Sequence, residues 1–134
     1  MILVSDLLTS AVHSVGEGDK ILRALESMLE ASIHHNPVLD DQGRVVGILS
    51  DRDLLRALAG DMRRADPVSD VMSREVVTVR PSTPAQEAAQ IMLERKISAL
   101  PVVDDAGKLC GIITSRDFLL VAKNALAGQP LTAK

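Results

Sequence analysis

Pro37-Val38-Leu39-Asp40-Asp41-Gln42-Gly43-Arg44-Val45-Val46-Gly47-Ile48-Leu49-Ser50-Asp51-Arg52-Asp53 is written again 64 positions later as Pro101-Val102-Val103-Asp104-Asp105-Ala106-Gly107-Lys108-Leu109-Cys110-Gly111-Ile112-Ile113-Thr114-Ser115-Arg116-Asp117. The register extends upstream without a gap. Val4-Ser5-Asp6 falls on Val68-Ser69-Asp70 and Met28-Leu29-Glu30 on Met92-Leu93-Glu94, so that 20 of 54 aligned positions are identical. A match of this density is a duplication, and the fold must be two copies of one small unit.

Each copy reads as strand, helix, strand, strand, helix. Val76-Val77-Thr78-Val79 is a short β-branched run and predicts the first strand of the second copy. Ser82-Thr83-Pro84 then opens a helix, with Thr83 as cap, Pro84 at the first helical position and Gln86 completing a capping box. Ala85, Ala88, Ala89, Met92 and Leu93 share one face of that helix, as Ile21, Leu25, Met28 and Leu29 do in the first copy, where Asp19 is the cap. Leu100 to Val103 and Leu109 to Ile113 are apolar strands joined by Asp104-Asp105-Ala106-Gly107, a turn sequence. The expectation is an α+β fold of two βαββα repeats packed about a pseudo-two-fold axis through their sheets. Repeat 1 covers residues 1–59, a linker 60–67, repeat 2 residues 68–124, and a flexible C-terminal tail 125–134. Packing of this kind makes two equivalent clefts between the copies.

Composition narrows the function classes. With 134 residues, the chain fits one ordinary domain or two very small units sharing a core. Phe118 is the only aromatic residue besides the histidines, which excludes an aromatic stacking platform for single-stranded nucleic acid. The net charge of −3 and pI near 5.5 also argue against a nucleic-acid surface. No stretch approaches the length of a membrane span or a signal peptide, so a cytoplasmic location is expected. A single cysteine, Cys110, excludes an internal disulfide and reads as a buried inert thiol. From residue 4 to 57 there are five basic and nine acidic residues, a balance of −4; from 68 to 121 there are six and seven, a balance of −1. The second copy is the better host for an anion.

The candidate chemistry lies at Gly47 to Asp53 and Gly111 to Asp117, where each copy leaves a strand and opens a helix. Ser50 with Asp53, and Thr114 with Asp117, have the spacing of a capping box. The same groups suit a second task, since a carboxylate accepts hydrogen bonds from both hydroxyls of a ribose and a helix N-terminus favours phosphate. Arg52 and Arg116 stand next to those acids and could neutralise phosphate charge. The adjacent His34 and His35 do not have metal-ligand spacing, and no nucleophile elbow is present, so neither a metal centre nor an enzyme is expected.

The doubled pattern, with Ser69-Asp70-Val71-Met72, Leu100 to Asp105 and Gly111 to Asp117, resembles a tandem CBS-domain pair, the Bateman module, over nearly the whole chain. The resemblance implies a regulatory module that binds AMP, ADP, ATP or S-adenosylmethionine between its repeats and modulates a partner protein. It places the ribose-binding acids at Asp53 and Asp117 and the hydroxyls at Ser50 and Thr114. Ile48 and Ile112 take the strand position beside adenine, and Thr78 the first strand that reads the base edge. The residues just before the second strand, which in the family often meet phosphates, fall on His34 and His35 in copy one and on Ser98 and Ala99 in copy two, and Pro101 is a further ligand-binding position. Asn36 departs from the family, where an apolar residue like Leu100 is usual, and Asp51 adds a charge where copy two has Ser115. Two related sites of unequal preference are expected. Leu54, Leu55 and Leu58 with Phe118, Leu119 and Val121 give more apolar surface than two short helices need, so a homodimer is expected. The alternative reading is a ligand-free dimerisation and protein-interaction scaffold in which Asp53 and Asp117 only cap helices.

Overall fold

The computed structural model describes residues 1–10 and 12–131. Its elements are α1 (Val4–Leu7), β1 (Val15–Gly16), α2 (Ile21–Ala31), β2 (His35–Leu39), β3 (Val45–Ser50), α3 (Asp51–Ala59), a 3-10 turn (Val68–Asp70), α4 (Ala85–Arg95), β4 (Ala99–Val103), β5 (Leu109–Thr114) and α5 (Ser115–Leu126). They form two compact units of an α+β fold. One is contiguous, His13–Val76; the other is split, joining Met1–Val12 to Val77–Lys134.

In the contiguous unit the sheet order is β1-β2-β3, with β1 parallel and β3 antiparallel to β2. In the split unit β4 pairs antiparallel with β5. Both hairpins turn as the sequence predicts. Asp40 Oδ1 accepts from the Gln42 and Arg44 amides at 2.9 and 3.0 Å, and Asp104 Oδ1 accepts from Ala106 and Lys108 at the same distances. Gly43 and Gly107 supply the positive φ of 80° and 81° that closes each turn.

The second copy's first strand is the weakest expectation. Of Val76 to Val79, only Val79 bridges to Val102, its amide donating to Pro101 O at 3.1 Å. The two expected caps also act differently. Thr83 Oγ1 accepts from the Arg80 amide at 2.9 Å and Asp19 Oδ2 from the Gly16 amide at 2.8 Å, so both close the preceding turn and neither caps its helix.

The orphan amides of those helices are satisfied from elsewhere. Ala85 N donates to Ile2 O, and Val4 N to Thr83 O; 64 residues on, Ile21 N donates to Asp66 O, with Val68 N donating to Asp19 O. The strands repeat the arrangement. Thr9 and Ile112 exchange both backbone hydrogen bonds at 3.0 Å, and so do Ser73 and Ile48. Each copy's leading segment thus completes the helix and hairpin of the other copy. Val4 and Val68 anchor these segments and are fully buried. Burying a valine side chain is worth about 1.5–3 kcal/mol.

Each unit has its own core: Ile21, Met28, Val38, Leu49 and Leu54 with Val68 in the contiguous unit, and Ala88, Leu100, Val102 and Ile113 with Val4 in the split one. Leu29 and Leu93, expected on the buried helix face, are instead 68% and 75% exposed. Cys110 is exposed as well, because β5 turns it away from the face that carries Ile113; its thiol donates to Val102 O at 3.3 Å. Of the expected tail, residues 125 and 126 are the last turn of α5, and 132–134 lie outside the described residues.

Gly47 and Gly111 are required by the exchange. A Cβ at Gly111 would stand 2.8 Å from Leu8 Cδ1 and 3.0 Å from Thr9 O, and one at Gly47 would collide with the Met72 side chain and stand 3.1 Å from Ser73 O. Gly47→Ala and Gly111→Ala are each expected to lower stability by about 1–3 kcal/mol in urea titration. Unchanged midpoints would contradict the close approach.

Candidate functional site

The site residues fall into two groups, one in each unit. In the contiguous unit β3 ends at Ser50 and α3 begins at Asp51. The Ser50 amide donates to Asp53 Oδ2 at 3.2 Å and the Asp53 amide donates to Ser50 Oγ at 3.0 Å, a reciprocal capping box. In the split unit the Thr114 amide and hydroxyl donate to Asp117 Oδ2 at 2.8 and 3.3 Å. Every one of these carboxylate bonds uses Oδ2. The cap therefore occupies one oxygen of each acid and leaves Oδ1 outside the capping box. Asp117 is buried, at 8% exposure, and Asp53 is half-buried.

The hairpins bring the remaining residues alongside. His35 lies opposite Ser50 and Ala99 opposite Thr114, while Pro37 faces Ile48 and Pro101 faces Ile112. Ile48 and Ile112 have their outward backbone groups bonded to Ser73 and Thr9, so only their half-buried side chains remain to face a ligand. Thr78 is exposed and directly precedes Val79, the residue bonded to Pro101. Arg52 and Arg116 are exposed on the first turns of α3 and α5.

The units differ beside the cap. The Asp51 amide donates to His34 O at 3.0 Å, as the Ser115 amide donates to Ser98 O at 2.9 Å. Among the described residues, the contiguous unit adds a side-chain hydrogen bond, between His34 Nδ1 and Asp51 Oδ2 at 2.8 Å. This bond holds the Asp51 carboxyl below its ordinary pKa. Burial lowers the pKa of His35, opposed by the charges of Asp51 and Asp53. Asn36 is fully buried, with its side-chain amide 3.1 Å from both His35 O and His13 O; two carbonyls there call for the amide nitrogen, which in that orientation donates to both. It ties β2 to the segment leading into β1.

Sequence reasoning located the capping pairs but missed the partners at their strands. Thr9 and Ser73 were available only through the identical glycines at 47 and 111, which signal a backbone approaching closely. The His34–Asp51 contact had no such signal, because it spans 17 residues and has no counterpart in the other copy.

An open groove of about 1030 Å³ runs along α2, lined by Lys20, Arg23 and Arg64 together with Asp19, Glu26 and Glu30. It holds none of the expected site residues, and its alternating charges favour neither an anion nor a cation. The capping motif, present in both units, is the stronger candidate. Among the described residues no helix is long and apolar enough to cross a membrane, and no three His, Cys, Asp or Glu side chains are grouped to hold a metal ion.

The CBS domain family model matches residues 4–60 and 68–124. The chain is 38% identical over 115 residues to a homoserine O-acetyltransferase of Methanococcoides burtonii, covering 86% of this chain but only 23% of that protein. Among solved structures it resembles CBSX2 in complex with AMP, with TM-score 0.84, 33% identity and coverage of 94% of this chain and 99% of that one. It also resembles the CBS domain pair of protein MJ0100 in complex with 5′-methylthioadenosine and S-adenosyl-L-methionine, with TM-score 0.81, 30% identity and coverage of 96% and 98%.

Proposed function

The chain belongs to the CBS-domain family as a tandem pair, and from that premise we propose that it is a regulatory module that binds an adenosine-containing ligand at the capping motif of each unit and thereby modulates a partner protein. The observation that carries this reading is the repeated cap in which Asp53 and Asp117 spend only Oδ2 on the helix. The remaining oxygen suits a ribose hydroxyl, and the amides at the start of α3 and α5 suit a phosphate. Two similar CBS pairs hold AMP in one case and S-adenosyl-L-methionine with 5′-methylthioadenosine in the other, which supports the adenosine class. AMP, ADP, ATP and S-adenosylmethionine are the proposed ligands. Arg52 and Arg116, with His34, His35 and Ala99, are assigned to phosphate, Ile48 and Ile112 to the base, and Thr78 to the base edge, with Pro101 as a further ligand contact. The role is regulatory and not catalytic.

The module is further proposed to act as a homodimer. Leu29 and Leu93 are equivalent positions, as are Leu55 and Leu119, and all four are between 56% and 75% exposed. Apolar side chains repeated at matching surface positions favour a symmetric self-contact. Leu54, by contrast, is spent in the core of its own unit.

Isothermal calorimetry with AMP, ATP and S-adenosylmethionine is expected to detect binding by at least one. Asp53→Ala and Asp117→Ala are each expected to abolish one site and to cost about 1 kcal/mol of stability. Loss of stability with ligand binding intact would favour the scaffold reading. Light scattering is expected to give twice the 14.3 kDa chain mass, reverting to monomer in a Leu55→Glu/Leu119→Glu variant; a wild-type monomer at high concentration would contradict the dimer.

A further inference from the structure

The two capping motifs carry different charge. Beside Ser50 stand two carboxylates, Asp51 and Asp53, where the split unit has Ser115 and Asp117. An anionic ligand group approaching α3 therefore meets one more negative charge than one approaching α5. The groups placed to offset it near neutral pH are imidazoles. His34 is held against Asp51 at 2.8 Å, and His35 sits across the ladder from Ser50, the residue that caps α3.

The surroundings of this pair are otherwise free of titratable side chains on the sheet. β1 and β3, which flank β2, carry none; α3 brings Asp51, Arg52, Asp53 and, a turn later, Arg56, and the segment before β1 brings His13, whose carbonyl meets Asn36. The charges that act on His35 are those of Asp51, Asp53 and His34.

Resting on the adenosine reading above, we infer that the contiguous unit takes its anionic adenosine ligand together with a proton carried on His35, which lies across the ladder from Ser50, while the split unit, with Ala99 at that place, takes its ligand without one. Burial lowers the His35 pKa below the ordinary imidazole value, which favours the neutral ring in the empty site. A phosphate beside it favours the imidazolium and raises that pKa. By linkage, affinity then rises as pH falls below the bound-state pKa and levels off below the free-state pKa. The module would report acidity through one site and leave the other as a reference.

The test uses the full chain carrying Asp117→Ala, which leaves the contiguous site alone. AMP affinity is expected to be several-fold higher at about pH 5 than at about pH 8, with about tenfold as the limit for a pKa rise of one unit. In a His34→Gln/His35→Gln background that ratio is expected to fall to about twofold or less. The second ionisation of the AMP phosphate is common to both proteins and cancels between them. Calorimetry in two buffers of different ionisation enthalpy reads proton uptake directly, and the difference in uptake between the chains with and without the histidines is the proton taken up by the imidazole. Equal pH ratios with and without the histidines, or equal uptake in the buffer comparison, overturn the inference alone. Absence of AMP binding at either site overturns the adenosine reading and this inference with it.

Discussion

Four backbone hydrogen bonds, two between Thr9 and Ile112 and two between Ser73 and Ile48, decide how this chain is divided. A βαββα copy standing alone would leave the outward side of β3 or β5 unpaired and the first amides of α2 or α4 without partners. Both are costly to bury. The chain meets both needs with one device, since the segment before each copy supplies a bridge to the strand and carbonyls to the helix of the other. Val4 and Val68 fix the segments in place, and Gly47 and Gly111 let the backbones approach. These bridging contacts of one unit have their counterparts 64 residues away in the other.

This arrangement also positions the functional groups. Because the bridges fall on Ile48 and Ile112, they fix the ends of β3 and β5 two residues before the capping hydroxyls. Helix capping then holds Asp53 and Asp117 by a single oxygen each. A side chain already fixed by structural bonds loses little freedom when it receives a ligand, which is how a stabilising interaction becomes a preorganised recognition group. In the proposed reading, capping and ligand binding are one arrangement used twice, and with Phe118 the only aromatic residue besides the histidines, aliphatic residues such as Ile48 and Ile112 are left to meet a ring.

The duplication, both hairpins and both capping pairs were legible in the sequence because each depends on neighbours within a few residues. Asp40, Gly43 and their counterparts specify a turn locally, as Ser50 and Asp53 specify a cap. What could not be read is what depends on distant backbone. Thr83 and Asp19 have the residue type and spacing of helix caps, yet the helix amides already have carbonyl partners from residues 2 and 66, so the side chains close the preceding turns. Val76 to Val79 has strand composition, but only Val79 finds a partner along β4. Leu29 and Leu93 fit a helical stripe and fall outside it, since α2 buries Ile21, Ala24, Leu25 and Met28 and α4 buries Ala85, Ala88 and Met92. In the site, the acids and hydroxyls were evident, whereas the His34–Asp51 contact was set by hairpin register.

The central claim, that each unit offers its capping motif to an adenosine ligand, is tested most directly by mapping amide chemical shifts of the labelled chain during titration with AMP. The account predicts that the largest changes fall at Ser50 to Asp53 and at Thr114 to Asp117, with Lys20, Arg23 and Arg64 of the α2 groove unaffected. Changes concentrated along that groove, with the capping amides unmoved, would contradict it.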